Sequence, residues 1–360
     1  ANRSRDALAA QVREFAPAVA VLADAREGGA AGSPDWNGST EWAFGADAVA
    51  EVAGSEGVDV VVNALVGAAG LRATLEALLA GKRLALANKE SLVAGGDLVM
   101  AARDRGGGEL IPIDSEHSAI LQCLAGSTRE EIRRMVLTAS GGPFRGLSRR
   151  ALADVRPADA LRHPTWDMGA NISIDSATLA NKALEVVEAH FLYDLPYDAI
   201  DAVIHPQSIV HSFVEFTDGS VMAQMGDPTM EVPILYALSY PRRVADSTLQ
   251  TFDPVRWGSL EFEAIDRDTF RMFALGVEAG RIGGTAPAVF NAANEIAVQA
   301  VLDERIGFLT MAEVVGDTME ALGSGRADCF DTLMDWDERA RHAAEAGIAK
   351  RGRTKGRRKN

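Results

Sequence analysis

Apolar side chains recur along this chain with two different periods, and the switches between them outline its elements. Residues 7–15 and 47–53 show helical spacing, whereas 18–22 and 58–64 are short apolar runs that read as strands. A glycine turn from Val66 to Gly70 follows, then a helix over 71–80 and a strand over 83–87. That order predicts a right-handed βαβ unit in a parallel sheet, with ligands outside the carboxyl ends of the strands. Asn88, Lys89 and Glu90 stand directly after one such end, and the apolar run 110–113 leads into Asp114, Ser115 and Glu116.

From residue 135 the pattern changes. A short strand over 135–138 runs into Ser140-Gly141-Gly142, and a loop rich in turn formers over 156–169 carries Trp166. A polar-faced helix is expected over 175–193. Alternating strands over 202–205, 209–216 and 221–225, the last two joined by a turn at 217–220, predict an open antiparallel or mixed sheet. Residues 241–265 have no clear period and read as a linker, and 268–323 is helical.

A chain of 360 residues with 47% hydrophobic content has room for two or three domains with real cores. A formal charge of −15 argues against general nucleic-acid binding, although residues 350–360 are strongly basic. That tail could touch RNA or anionic lipid, but a disordered, solvated end is expected. Two cysteines far apart, Cys123 and Cys329, fit a reducing compartment, with Cys123 as core filler. No run reaches the roughly 18–20 apolar residues of a membrane span, and the first 17 residues lack a secretory pattern. A cytoplasmic protein is expected, and the absence of an initiator Met places the natural start upstream.

Asp114 and Glu116 would face the same way on a continuing strand, and Asn181 and Glu185 share a helix face one turn apart, with Ser176 a turn or more upstream. Carboxylates without clustered His or thiolate suit Mg²⁺ or Mn²⁺ better than zinc or copper. Taken alone, an Asp-x-Glu triplet in so acidic a chain is a solvated strand end. Lys89 and Glu90 could pair with each other or serve a ligand. Ser140 with its two glycines is an anion cradle or an ordinary turn. Trp166 suggests a lid or a hydrophobic peg. His205 and His211, six apart, would share a strand face and read as sheet histidines rather than metal ligands. Gly67 and Gly70 are weak evidence for a dinucleotide, and no G-x-G-x-x-G occurs in the chain. If a first βα unit precedes residue 1, Asn2 and Arg3 without an acid at the end of a second strand would favour NADP(H) over NAD(H).

The runs 87–92, 112–117, 139–144, 163–169, 175–185, 205–208 and 291–295 together closely resemble the 1-deoxy-D-xylulose 5-phosphate reductoisomerase family, over essentially the whole chain. The resemblance implies an α/β protein: a Rossmann-like parallel-sheet NADP-binding domain over 1–113, an α+β catalytic and connective domain with a mixed sheet over 114–240, and a C-terminal helical domain over 266–349. It implies isomerisation of a phosphorylated ketose, usually drawn as retro-aldol then aldol, and reduction of the product with NADPH for isoprenoid synthesis. By the same likeness Asp114, Glu116 and Glu185 would ligate Mg²⁺ or Mn²⁺ and, with Lys89, form the catalytic set. Ser140, His163, Ser176, Asn181 and Lys182 would hold the phosphate end. Lys89 and Ser115 would meet the sugar portion, and Glu116 and Glu185 the substrate as well as the metal. Asn2, Asn88, Glu90 and Gly169 would touch NADPH, while Trp166 and Met168 would belong to a mobile lid, with Trp166 also meeting the substrate, and the chain would form a homodimer. Family members carry a glycine-rich pyrophosphate turn that this chain lacks, so roughly 35 further residues are expected before residue 1, the size of a β-α-β portion. The alternatives are a metal-dependent phosphosugar lyase or isomerase that uses no nicotinamide, and a silent homologue, which the retained carboxylates and Lys182 disfavour.

Overall fold

The computed structural model describes residues 1–24, 39–162 and 169–357. Two parallel units open the chain. Strands β1 (Val19–Leu22) and β2 (Glu41–Phe44) pair with each other, and β3 (Val60–Asn63), β4 (Arg83–Leu86) and β5 (Glu109–Pro112) form a parallel sheet in that order. The β2 strand was not apparent from its sequence, where Trp42 and Phe44 stand in a short polar stretch. In the second sheet Val61 faces Leu84 and Leu84 faces Leu110 in register. Helices Gly70–Leu79 and Lys89–Gly106 supply the crossovers, with Leu71, Leu78, Leu84 and Leu92 fully buried between helix and strand. Gly70 has no room for a side chain: a Cβ there would lie 2.4 Å from Asn88 Oδ1.

The third sheet is mixed, as its alternation predicts, with strand order β10-β7-β6-β8-β9. Strands β6 (Ile132–Ala139) and β7 (Ile200–Ile204) run parallel, and β8 (Val210–Phe216) and β9 (Val221–Met225) continue antiparallel. At the other edge β10 (Glu263–Ala264) pairs with β7, so the segment expected as a linker contributes a strand. Helices Arg271–Ile282, Ala286–Leu302, Thr310–Leu322 and Phe330–Arg357 follow. Their apolar faces share one core with the mixed sheet, through Met135, Leu137, Phe273 and Phe290. Cys123 lies in that core. The basic end expected to be disordered continues the last helix as far as Arg357.

Three local expectations change. Asp114 does not continue a strand: β5 stops at Pro112, and Asp114 caps the helix Ser115–Cys123, its Oδ1 accepting from the Ser115 N–H at 3.1 Å. An acid at an N-cap satisfies amides that would otherwise lack partners, which outweighs strand alternation here. The single helix expected over 175–193 is two, Ala170–Thr178 and Ala180–Tyr193, broken at Leu179, which is left-handed at φ 61°. His205 and His211 do not share a strand. His205 follows β7, is fully buried, and accepts at Nε2 from the N–H groups of Ile209 and Val210, while His211 lies in β8. Among the described residues no helix is long and apolar enough to cross a membrane.

Candidate active site

The carboxyl ends of β4 and β5 and the start of helix Ala180–Tyr193 converge on a cavity of about 390 Å³. Lys89, Asp114, Ser115, Glu116, Ser140, Ser176, Asn181, Lys182 and Glu185 all line it. Three local devices bring them there. Asn88 caps the helix Lys89–Gly106, accepting from the Ser91 N–H at 3.1 Å, and so launches Lys89 into the cavity. Asp114 caps the next helix and puts Glu116 on its first turn. The left-handed Leu179 restarts the chain in a new direction, so that Asn181, Lys182 and Glu185 face the same space.

Oxygens of Asp114, Glu116 and Glu185 lie within 4.8 Å of one another. Two ammonium groups sit among them. Lys89 Nζ is 2.8 Å from Asp114 Oδ2 and 3.6 Å from Glu185 Oε1, and donates to Asn181 Oδ1 at 2.6 Å. Lys182 Nζ bridges Glu116, at 2.8 Å, and Glu185. Asn181 Nδ2 also donates to Glu185, and the Ser115 hydroxyl to Glu116. Lys89 therefore pairs with the carboxylate cluster rather than with its neighbour Glu90.

The electrostatics are those of a site short of positive charge. Burial would depress Lys89, but Asp114 and Glu185 outweigh it and hold the ammonium well above its ordinary range. Burial likewise opposes ionisation of Asp114 and Glu116, and Lys89 and Lys182 respectively overcome it and lower both acids. Glu185, 1% exposed, is pushed up to about 8, first by burial and then by Glu116, against the pull of Lys182. Three close carboxylates with two lysines leave one negative charge uncompensated, and all-oxygen donors suit a hard divalent cation. The residues therefore fit Mg²⁺ or Mn²⁺. A second group, Asp114, His117 and Glu188, has the same compactness but lies deeper, with His117 fully buried and 3.2 Å from Glu188. Sequence reading passed over His117, whose only signal is its place one residue after Glu116.

The residues assigned to the cofactor lie apart from this cluster. Asn88 is buried, and its Nδ2 donates to the carbonyls of Leu65 at 2.7 Å and Gly67 at 3.0 Å. Glu90 accepts from the Gly67 N–H at 3.1 Å, so the two side chains clamp the turn that follows β3. Beside that turn Leu65 and Val66 form an apolar lip of the cavity, with Val66 75% exposed, a feature the sequence did not single out. Asn2 meets the end of β1 through its carbonyl, which accepts from the Asp24 N–H at 3.0 Å, and it is not part of the cavity wall. Gly169 begins helix Ala170–Thr178 and is likewise outside the wall. His163, Trp166 and Met168 lie outside the described residues.

A parallel sheet whose carboxyl ends meet an all-carboxylate cluster that fits a divalent cation, flanked by lysines, defines an α/β enzyme that works on a small anionic molecule with a divalent ion. Models of the 1-deoxy-D-xylulose 5-phosphate reductoisomerase family match residues 1–96, and models of its C-terminal domains match 110–193 and 225–343. The reductoisomerase of Ralstonia nicotianae is 48% identical over 97% of this chain and 90% of its own length. That of Xanthomonas campestris pv. campestris is 49% identical over 96% and 87%. Among solved structures, the enzyme of Zymomonas mobilis in complex with NADPH superposes with a TM-score of 0.88 at 41% identity, covering 97% of this chain and 90% of that one. A DOX-P reductoisomerase in complex with NADPH, fosmidomycin and magnesium gives 0.88 at 39%, with the same coverage. The chain belongs to the 1-deoxy-D-xylulose 5-phosphate reductoisomerase family.

Proposed function

We propose that this chain converts 1-deoxy-D-xylulose 5-phosphate to 2-C-methyl-D-erythritol 4-phosphate with NADPH and a divalent ion, through the cavity described above. The observation that carries the reading is the cluster of Asp114, Glu116 and Glu185 in one cavity with Lys89 and Lys182. Asp114, Glu116 and Glu185 would hold Mg²⁺ or Mn²⁺, which when bound polarises the substrate carbonyl and acidifies a neighbouring hydroxyl. NADPH, seated towards Asn88 and Glu90, supplies the hydride.

The chain's own side chains do the rest. Ser140, Ser176 and Asn181 offer hydroxyls and an amide to the phosphate, and Lys182 a compact positive charge. Lys89 and Ser115 face the sugar portion, with Lys89 held protonated by its carboxylate neighbours as a donor to substrate oxygens. The clamp of Asn88 and Glu90 on residues 65–67 keeps the cofactor-side turn at a set distance from Lys89, which orients the reacting carbons. Phosphate contacts remote from the reacting carbons supply binding energy for that orientation.

Val221 and Met222 on the outer strand β9 are half exposed, which supports a homodimer closing over that sheet. A reducing, cytoplasmic setting agrees with buried Cys123 and exposed Cys329 as free thiols. NADPH oxidation with 1-deoxy-D-xylulose 5-phosphate and a divalent ion tests the reading. Oxidation that requires substrate and metal together is the expected result, and substrate turnover without oxidation would favour a lyase.

A further inference from the structure

Asp175 does not line the cavity, yet it precedes Ser176, which does. Asn294 Nδ2 donates to Asp175 Oδ1 at 2.8 Å, from a fully buried position on helix Ala286–Leu302 within the amide-rich run 291–295. Asn294 Oδ1 is also buried and, among the described residues, has no hydrogen-bond partner. A buried amide oxygen without a donor is costly, and a neutral carboxylic acid beside it can supply one where a carboxylate cannot.

The surroundings favour the neutral form. Among the described residues no ion pair reaches Asp175. Lys89 and Glu90 face it from helix Lys89–Gly106, and Glu295 from helix Ala286–Leu302. Glu295 is itself engaged by Asn291 at 2.9 Å and by Arg341 at 2.7 Å, and Arg341 also holds Asp337. Burial, more than the two acids, pushes the Asp175 carboxyl up to about 7 against the Asn294 hydrogen bond.

Position matters here because the local backbone has little slack. A Cβ on Gly142 would lie 2.8 Å from the Ser176 carbonyl oxygen, so the turn that bears Ser140 is packed directly on the helix that bears Ser176. At its far end that helix stops at Leu179, whose left-handed backbone is strained for a residue with a Cβ and persists only when its surroundings hold it.

We propose that Asp175 and Asn294 are positioning residues, an acid–amide pair that pins the Ser176 helix to the C-terminal helices and sets the spacing between Ser176 and Ser140. The inference rests on the reading that these two serines hold the substrate phosphate. The pair touches neither substrate nor metal.

Steady-state kinetics of the full chain with saturating NADPH and divalent ion tests it. D175A and N294A are each expected to raise KM for the phosphorylated ketose about 10-fold while kcat stays within about threefold, the pattern of a misplaced contact rather than a damaged fold. The D175A/N294A double variant should be no worse than either single one, because both remove the same pin. D175N, an isostere of the neutral acid, should restore KM to within about twofold of the parent. If S176A raises KM but N294A does not, the pin is wrong. A D175N enzyme as impaired as D175A overturns the neutral pair. S176A with unchanged KM would show instead that the phosphate assignment fails, and the proposal with it. N294A and D175N carry the test should D175A not fold.

Discussion

The proposed metal side and the proposed cofactor side of this site are built by opposite means. On the metal side, long charged side chains reach inward from three helix starts, and Asp114, Glu116, Glu185, Lys89 and Lys182 hold one another by charge. On the cofactor side, Asn88 and Glu90 grip main-chain atoms of Leu65 and Gly67, and among the described residues no salt bridge is involved. A charge cluster can be loaded, emptied and titrated, whereas a clamped turn fixes distance. The first arrangement suits chemistry and the second suits alignment.

The contrast can be broken from either end. The largest effect should come from E185Q, which keeps shape but removes a ligand charge: kcat/KM in saturating divalent ion is expected to fall about 100-fold or more. A fully active E185Q would refute the ligand set. Chelation should likewise stop turnover while leaving the circular dichroism spectrum unchanged, since the lysines keep the acids paired without metal. On the other side, N88A should raise KM for NADPH about 10-fold with kcat within about threefold at saturation, because alignment is recovered once cofactor fills the site. Loss of kcat at saturating cofactor would show that the two sides do not differ as described. The smallest effect is on stability. Asp175 favours the folded state while protonated, and that contribution is lost as pH rises from about 4 towards its raised value of about 7. D175N should therefore melt about 4 °C above the parent at pH 8, and the gap should close below about pH 4. A gap independent of pH would remove the buried neutral acid.

Much of this was legible in residue order. The apolar runs that became β3, β4 and β5 announce a parallel sheet, and Asp114, Glu116 and Glu185 stand out as hard donors because no His or Cys cluster competes with them. Their geometry was not legible. An Asp at the end of an apolar run serves equally as a strand residue or a helix cap, and only the pairing of β5, which stops at Pro112, decides. The break at Leu179 left no trace, since leucine is a helix former and its left-handed backbone is imposed by the fold. The Asp175–Asn294 contact spans 119 positions, beyond any local pattern.

Lys89 faces the carboxylates, while Asn88 and Glu90, bonded to it on either side, face the turn at residues 65–67. Consecutive Cα atoms stand about 3.8 Å apart, so the two halves of the site share a single peptide step. Neither half can drift independently over evolutionary time. Substitutions that retune the cofactor side will change which substitutions the metal side tolerates, and paired variants across that step should depart from additivity.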